Sequence, residues 1–360
     1  MTGTAPSEEP GKRTATAAAA CAEDGEEAWL KVEGATVRFP IRRGVWARVR
    51  GAVHAVEAVS FSMKRGETLG LAGESGCGKT TLGRAVAGLE SLSAGRICLA
   101  GRIWTDAEKH RRPARAERRR VQMVFQDPQA SLNPRLPVCD LVTEGWVEHR
   151  LTGAESREEA AVRLLGDVGL GRDALWKYPF EFSGGQRQRI CLARAMALHP
   201  ELVVCDEVAS ALDVSVQAQV INLLMDLRER HGVAYLMIGH DLSVLRHVSH
   251  RIAVMYLGRL VEIGPAGRVV EAPQHPYTQA LVAAVPIPGR PREGQGQRRT
   301  LQGEPPSAAT PPEGCPFHPR CPYAEDICRR KMPDGAILKG EDGHWVGCHR
   351  AAAATGATRP

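Results

Sequence analysis

Apolar residues along this chain fall into short continuous runs separated by stretches of helical spacing. The runs at 67–72, 202–205 and 233–238 are largely apolar, as expected of strands in a parallel sheet covered on both faces. Residues 251–256 and 259–263 read as two more strands around a Leu257-Gly258 turn, and 29–39, 56–63 and 96–104 as others. Helices are predicted over 80–87, 183–198 and 218–229. Ile190, Ala193, Met196 and Ala197 give the second a buried stripe, and Ser183 is well suited to cap its start. Residues 140–178 carry Leu141, Val142, Leu164, Leu165 and Val168 at helical spacing, broken by glycines, which reads as a small helical subdomain. The alternation of strand and helix predicts an α/β fold with a mainly parallel sheet. Residues 41–53, with Arg42, Arg43, Arg48 and Arg50, read as a basic loop. Residues 1–27 have no periodic apolar pattern and read as disordered, and the Pro-, Gly- and Arg-rich 286–312 reads as a linker.

The first predicted strand–helix junction of the parallel set carries Gly73-Glu74-Ser75-Gly76-Cys77-Gly78-Lys79-Thr80-Thr81. This fits the phosphate-loop pattern of Gly, four residues, then Gly-Lys-Ser/Thr. Its glycines reach backbone angles closed to other residues, so successive N–H groups can turn around an anion. The helix that follows adds free N–H groups and the positive end of its dipole. Lys79 supplies charge for the β- and γ-phosphates of a nucleotide, and the Thr80 hydroxyl suits Mg²⁺. The plain alternative is a glycine-rich turn beside a surface lysine.

Two further stretches carry chemistry. Asp206 and Glu207 follow the run 202–205, at the strand end where open α/β sheets bind ligands. Asp206 suits Mg²⁺, and Glu207 suits a general base that polarises an attacking water. Phe182-Ser183-Gly184-Gly185-Gln186 is a second glycine-rich helix start; alone it is either another anion site or an ordinary capped helix.

Composition narrows the classes. The chain has 360 residues, room for one large α/β domain with an appendage or for two domains. A net charge of +6 with 5% aromatic residues argues against a base-stacking nucleic-acid surface. The arginines at 111, 112, 115, 118, 119 and 120 could form a nucleic-acid patch, but a solvated helix face is the preferred reading. No apolar run approaches the ~20 residues of a membrane span, and the start is not a secretory signal, so a cytosolic or peripheral protein is expected. Of ten cysteines, Cys21, Cys77, Cys98, Cys139, Cys191 and Cys205 are scattered and read as free thiols. Cys315, Cys321, Cys328 and Cys348 cluster late, with five, six and nineteen residues between them, which is neither a paired zinc pattern nor a ferredoxin run.

Taken in order, these motifs resemble the nucleotide-binding subunit of an ATP-binding cassette (ABC) transporter, over about 28–270. The Gly73–Thr80 stretch resembles Walker A, and Gln126 stands where the Q-loop glutamine belongs. Ser183, Gly184, Gly185 and Gln186 match the signature, with Phe182 for the commoner leucine. Asp206 and Glu207 match Walker B and its catalytic glutamate. Ser210-Ala211-Leu212-Asp213 resembles the D-loop, and His240 the switch histidine. The resemblance implies a P-loop NTPase (RecA-like) fold with a helical subdomain at about 127–197. It also implies two cassettes closing head to tail on two ATP molecules, each gripped by one chain's Walker A and the other's signature. Thr80, Gln126 and Asp206 would serve Mg²⁺, and His240 the γ-phosphate. Phe39 is the candidate to stack on adenine, or else it is core. Val208 and Gly239 depart from the family's usual proline and serine.

The stretch Pro273-Gln274-His275-Pro276-Tyr277-Thr278-Gln279-Ala280-Leu281 and Gly303-Glu304-Pro305-Pro306-Ser307 are similar to the C-terminal segment of oligopeptide and dipeptide importer ATPases. His275 itself reads as a structural loop histidine. The resemblance implies an extension over 271–349, then a disordered tail at 350–360. In that family the four late cysteines can hold a [4Fe–4S] cluster; zinc, or reduced thiols without metal, remain the alternatives. The implied function is an ATP-hydrolysing motor for uptake of oligopeptides or dipeptides. Its implied partners are a second, related ABC ATPase chain, two transmembrane permeases and an extracytoplasmic solute-binding protein, at the cytoplasmic side of the inner (plasma) membrane. No nucleic-acid partner is expected. Nickel or another small solute is the alternative cargo. A soluble ABC ATPase acting on nucleic acid or ribosomes is the alternative class.

Overall fold

A computed structural model describes residues 28–43, 48–151, 155–210, 212–284, 303–338 and 343–351. The segment 1–27, most of the linker at 286–312 and the tail from 352 lie outside them. The described strands are β1 (Leu30–Arg43), β2 (Arg48–Met63), β3 (Thr68–Ala72), β4 (Ala94–Leu99), β5 (Arg102–Asp106) and β6 (Val121–Val124). After these come β7 (Leu202–Asp206), β8 (Ala234–Gly239), β9 (Arg251–Tyr256), β10 (Arg259–Pro265), β11 (Ala336–Ile337) and β12 (Trp345–Val346). They form an antiparallel sheet in the order β2-β1-β4-β5 and a larger one in the order β11-β12-β10-β9-β3-β8-β7-β6.

The stretch from β9 to β6 in the larger sheet is parallel. Both of its faces are buried, which is why its strands read as unbroken apolar runs. On β7, Leu202 and Val204 face a core shared with β1, β2 and the helix Lys79–Val86. Val203 and Cys205 face the opposite core, built with the helices Val138–Glu148, Gly184–Met196 and Val214–His231. The helical region over 140–178 resolves into Val138–Glu148, Arg157–Asp167 and one short 3-10 turn, Arg172–Ala174.

Three local expectations change. The stretch 96–104 is not one strand but the hairpin β4–β5, with Leu99 opposite Arg102. Ala100 and Gly101 both take positive φ, 50° and 71°, as a two-residue hairpin turn requires. The basic loop at 41–53 is instead a continuation of β1 and β2, paired at Pro40 with Ala52 and Ile41 with Gly51. A two-stranded ribbon of this kind is held by main-chain hydrogen bonds between its strands rather than by an apolar face. The arginine-rich 110–120 contains one helical turn, Arg115–Arg118. Its arginines pair with acids: Arg111 with Glu117 nearby, Arg115 with Glu148 and Arg120 with Glu201.

Cys77, Cys139, Cys191 and Cys205 are buried free thiols. Cys98 departs from the expected free state and is disulfide-bonded; Cys21 lies outside the described residues. The C-terminal region is no separate body at the sheet: β12 pairs with β10 at Val346–Glu262, and β11 pairs with β12. It also reaches β2, where the His54 N–H donates to the Ala308 carbonyl. Among the described residues no helix is long and apolar enough to cross a membrane.

Candidate functional site

Four neighbouring parallel strands end at one edge, and each delivers a candidate residue there. The phosphate loop follows β3, Gln126 follows β6, Asp206 closes β7 with Glu207 next, and His240 follows β8. Register sets this edge: Ala72 lies opposite Gly239, and Asp206 opposite Ile238. Strand C-termini leave carbonyl ends and loop N–H groups beyond the sheet, so the edge is a ready crevice.

The loop has the conformation its glycines allow. Gly73, Gly76 and Gly78 take φ of 152°, 77° and 103°. A Cβ on Gly73 would run into the Met255 carbonyl oxygen, and one on Gly78 into that of Ala55. Gly78 leads into the helix Lys79–Val86 with no side chain capping it, so the N–H groups of its first turn, which includes Thr80 and Thr81, remain open to an anion. Ser75 and Gly76 are exposed at the loop's mouth. Lys79 is buried, and its ammonium donates to the carbonyls of Gly73 (2.8 Å) and Glu74 (2.9 Å). Burial pushes the Cys77 thiol up, against the opposing pull of Lys79.

Across the crevice the Thr80 hydroxyl donates to Asp206 Oδ1 at 3.0 Å. Burial raises the Asp206 carboxyl above the usual carboxylate range, and the Thr80 bond opposes it. A cation beside these hard oxygen donors would favour the charged form, so the pair fits Mg²⁺. Gln126 Nε2 donates to Glu207 Oε2 at 3.1 Å, and His240 Nδ1 lies 3.6 Å from the same oxygen. Glu207 sits at φ 47°, in the left-handed region that non-glycine residues seldom occupy. Its N–H donates to the Ile238 carbonyl, which pins it there. A strained acid held beside an amide and an imidazole can take a proton from a water.

The second glycine-rich helix start lies elsewhere in the chain. Ser183 caps it as a capping box, its hydroxyl accepting from the Gln186 N–H while its own N–H donates to Gln186 Oε1. A Cβ on Gly184 would touch Leu212, and one on Gly185 would strike Val216, so this turn rests on the start of the helix Val214–His231. Asp213 precedes that helix and is exposed; Ala211 lies outside the described residues. Phe39 is half-exposed on β1 opposite Val53, two positions along β2 from the Ala55 that backs Gly78.

The four late cysteines line one pocket, together with Phe317, His318 and His349. Burial first, and the neighbouring thiols second, push Cys321 up to about 11; Cys315 is pushed to about 11 by burial, opposed by a hydrogen bond from the Phe317 N–H. Among the described residues no group of three or more His, Cys, Asp or Glu is arranged to hold a metal ion.

Residues 56–210 match the ABC transporter family, and 261–328 match the oligopeptide/dipeptide transporter C-terminal region. A probable peptide ABC transporter ATP-binding protein of Sinorhizobium fredii, y4tS, is 48% identical over 92% of each chain. The oligopeptide transport ATP-binding protein AppF of Bacillus subtilis is 45% identical over 90% of this chain and 98% of its own. This chain belongs to the ABC transporter ATP-binding family. As a member it is an ATPase built on the P-loop NTPase fold. The cassette cbiO1 of Clostridium perfringens superposes with a TM-score of 0.58 at 23% identity, covering 69% of this chain and 92% of its own. The ATP-binding cassette MJ0796, in a dimeric post-hydrolysis state bound to ADP and Pi, superposes at 0.56 with 25% identity, covering 66% and 98%.

Sequence reasoning did not find that two residues of the C-terminal region touch the phosphate loop from outside it. Tyr277 Oη accepts from the Glu74 N–H at 2.8 Å, and Arg320 grips the Glu74 carboxylate with two N–H groups at 2.8 and 3.0 Å. No local pattern joins positions 203 and 246 residues apart.

Proposed function

We propose that this chain is the ATP-hydrolysing subunit of an importer for oligopeptides or dipeptides. The observation that carries the reading is the meeting of Thr80, Asp206, Glu207, Gln126 and His240 at one sheet edge, beside an uncapped phosphate loop. The loop N–H groups and Lys79 would bind the ATP phosphates, with Lys79 exchanging its two loop carbonyls for phosphate oxygens. Thr80 and Asp206, with Gln126 nearby, would hold Mg²⁺, which when bound draws charge from the β- and γ-phosphates. Glu207 accepts the proton of the attacking water; Gln126 and His240 hold its carboxylate and the γ-phosphate side of the site. Phe39 provides the ring for adenine. Ser183, Gly184, Gln186 and Asp213, which are exposed, with Gly185 packed behind them on Val216, would complete the site of a second cassette chain, related to this one.

The cargo reading rests on the match at 261–328 and on relatives named for peptide transport. In this reading residues 28–270 form the cassette and 271–349 its extension. The chain works at the cytoplasmic side of the inner (plasma) membrane with two permeases and an extracytoplasmic solute-binding protein. Labelled-peptide uptake by the assembled transporter tests it: uptake should require this chain and stop with Glu207→Gln. Nickel uptake without peptide uptake would move the cargo to small solutes. Co-purification of ribosomal or DNA-repair proteins without permeases would overturn the transport role.

The shared pocket of Cys315, Cys321, Cys328 and Cys348 supports a second, structural reading, a [4Fe–4S] cluster with zinc as the alternative. Ligation would first release the protons that burial holds on Cys315 and Cys321. Iron and zinc analysis of anaerobically purified protein decides. One equivalent of zinc without iron removes the cluster, and neither metal removes both.

A further inference from the structure

We propose that the C-terminal extension is a working part of the nucleotide site: Arg320, with Tyr277, positions the phosphate loop through Glu74. The proposal rests on the reading of Gly73 to Thr80 as that loop.

Glu74 is held at three points. Its N–H donates to Tyr277 Oη, its carbonyl accepts from Lys79 Nζ, and its carboxylate takes the Arg320 fork. The loop residue that orients the phosphate-binding lysine is therefore held by two side chains that lie outside the β3–helix unit. A two-pronged guanidinium–carboxylate contact fixes angle as well as distance. The Arg320 side chain is 6% exposed and that of Glu74 24%.

The two holders are themselves fixed. Tyr277 and Phe317 are fully buried, their rings 5.4 Å apart, and both pack on Tyr256 at the end of β9. Arg320 lies over the Tyr256 ring at 5.9 Å and also reaches its hydroxyl. Arg320 follows Phe317 by one short turn, His318–Arg320. The extension thus presents one rigid aromatic wedge and one cation to the outer side of the loop. A contact that only fastened the extension to the cassette would have no need to end on the residue that holds Lys79.

Arg320 and Tyr277 do not touch the reacting atoms, so their loss should appear in nucleotide affinity rather than in the chemical step. The test measures binding of a fluorescent ATP analogue to the full chain, KM and kcat for ATP in the assembled transporter, and thermal unfolding. Arg320→Met should weaken binding about tenfold, and Glu74→Gln about as much. The double variant should be no worse than either single one, because both remove the same contact. Tyr277→Phe, which deletes one oxygen, should weaken binding about fivefold. At saturating ATP, kcat should stay within about twofold for Arg320→Met and Tyr277→Phe. Arg320→Lys, which keeps the charge without the fork, should fall between Met and wild type. Should Arg320→Met fail to fold, Arg320→Lys and Tyr277→Phe carry the test. Unchanged affinity in these two, even with a lowered unfolding temperature, would overturn the proposal, as would additive losses in the double variant. Lys79→Ala separates the underlying reading: if it binds the analogue as wild type does, the loop assignment itself falls.

Discussion

The Gln126 amide donates to the Glu207 carboxylate at 3.1 Å, joining residues that follow β6 and β7. Val124 on β6 pairs with Cys205 on β7, so parallel register brings the two residues together just past the sheet. The contact links the loop after β6 to the proposed base. It gives one path by which a movement of that loop would alter hydrolysis.

Glu207→Gln keeps the shape and removes the proton acceptor. ATP binding should be preserved while turnover falls about 10²- to 10⁴-fold, the usual worth of a positioned base. Hydrolysis by the assembled complex at the wild-type rate would remove Glu207 from that role.

The glycines of the phosphate loop should differ in cost. Gly76 faces open space, so Gly76→Ala meets only the strain of its positive φ, about 1–2 kcal/mol. Gly73→Ala adds a collision with the Met255 main chain, about 1–3 kcal/mol more, and should abolish nucleotide binding. Denaturant midpoints and analogue binding, measured side by side, rank the two. Equal costs would mean that Met255 yields freely.

Gly239, where the family commonly has serine, does not owe its place to sterics. A Cβ there would meet Leu245 at 3.6 Å, an ordinary contact, and its φ is not positive. Gly239→Ser should therefore leave stability within about 0.5 kcal/mol. A loss several times larger would show that the end of β8 has no room after all.

His275 makes stability depend on acid. Burial pushes its imidazole down to about 4, against the opposing charge of Glu262. The Glu262 carboxylate accepts the N–H groups of Gln274 and His275 and lies 2.9 Å from His344 Nε2. Because the folded form resists protonation, the unfolded chain binds more protons between its ordinary value near ~6.5 and about 4. Stability is fully present above that window and is lost as pH falls through it, by up to about 1.4 kcal/mol per unit. Urea midpoints across the window should show this slope, and His275→Gln should flatten it. An unchanged slope in the variant would assign the acid sensitivity to another group.

Local order was legible in the sequence because it obeys local rules. A strand buried on both faces must be apolar throughout, so 202–205 and 233–238 declared themselves. Gly73 and Gly78, with Lys79 and Thr80 after them, fall at the fixed spacing of the phosphate-loop pattern. Ser183 and Gln186 stand at the spacing of a capping box. The C-terminal segment around Tyr277 was visible as a pattern, but without a partner. The strands through 41–53 were hidden because ladder hydrogen bonds come from the main chain and leave little trace in side-chain type. The hairpin at Ala100-Gly101 was hidden because one of its two positive-φ residues is an alanine.

What tertiary structure alone decided is which distant residues meet. Asp206 stands 126 positions from Thr80 and shares its hydrogen bond. Glu262 closes on His344, 82 positions away, and Arg320 on Glu74, 246 away. A sequence carries a residue's intrinsic chemistry and the periodicity of its own segment. It carries no signal of which side of a sheet a returning chain will cover, because that follows from strand order, crossover and the sum of burial over the whole fold. The sequence by itself therefore determined the phosphate loop and its acids. Only the folded chain decided that the loop's outer side is held by a tyrosine and an arginine of the extension.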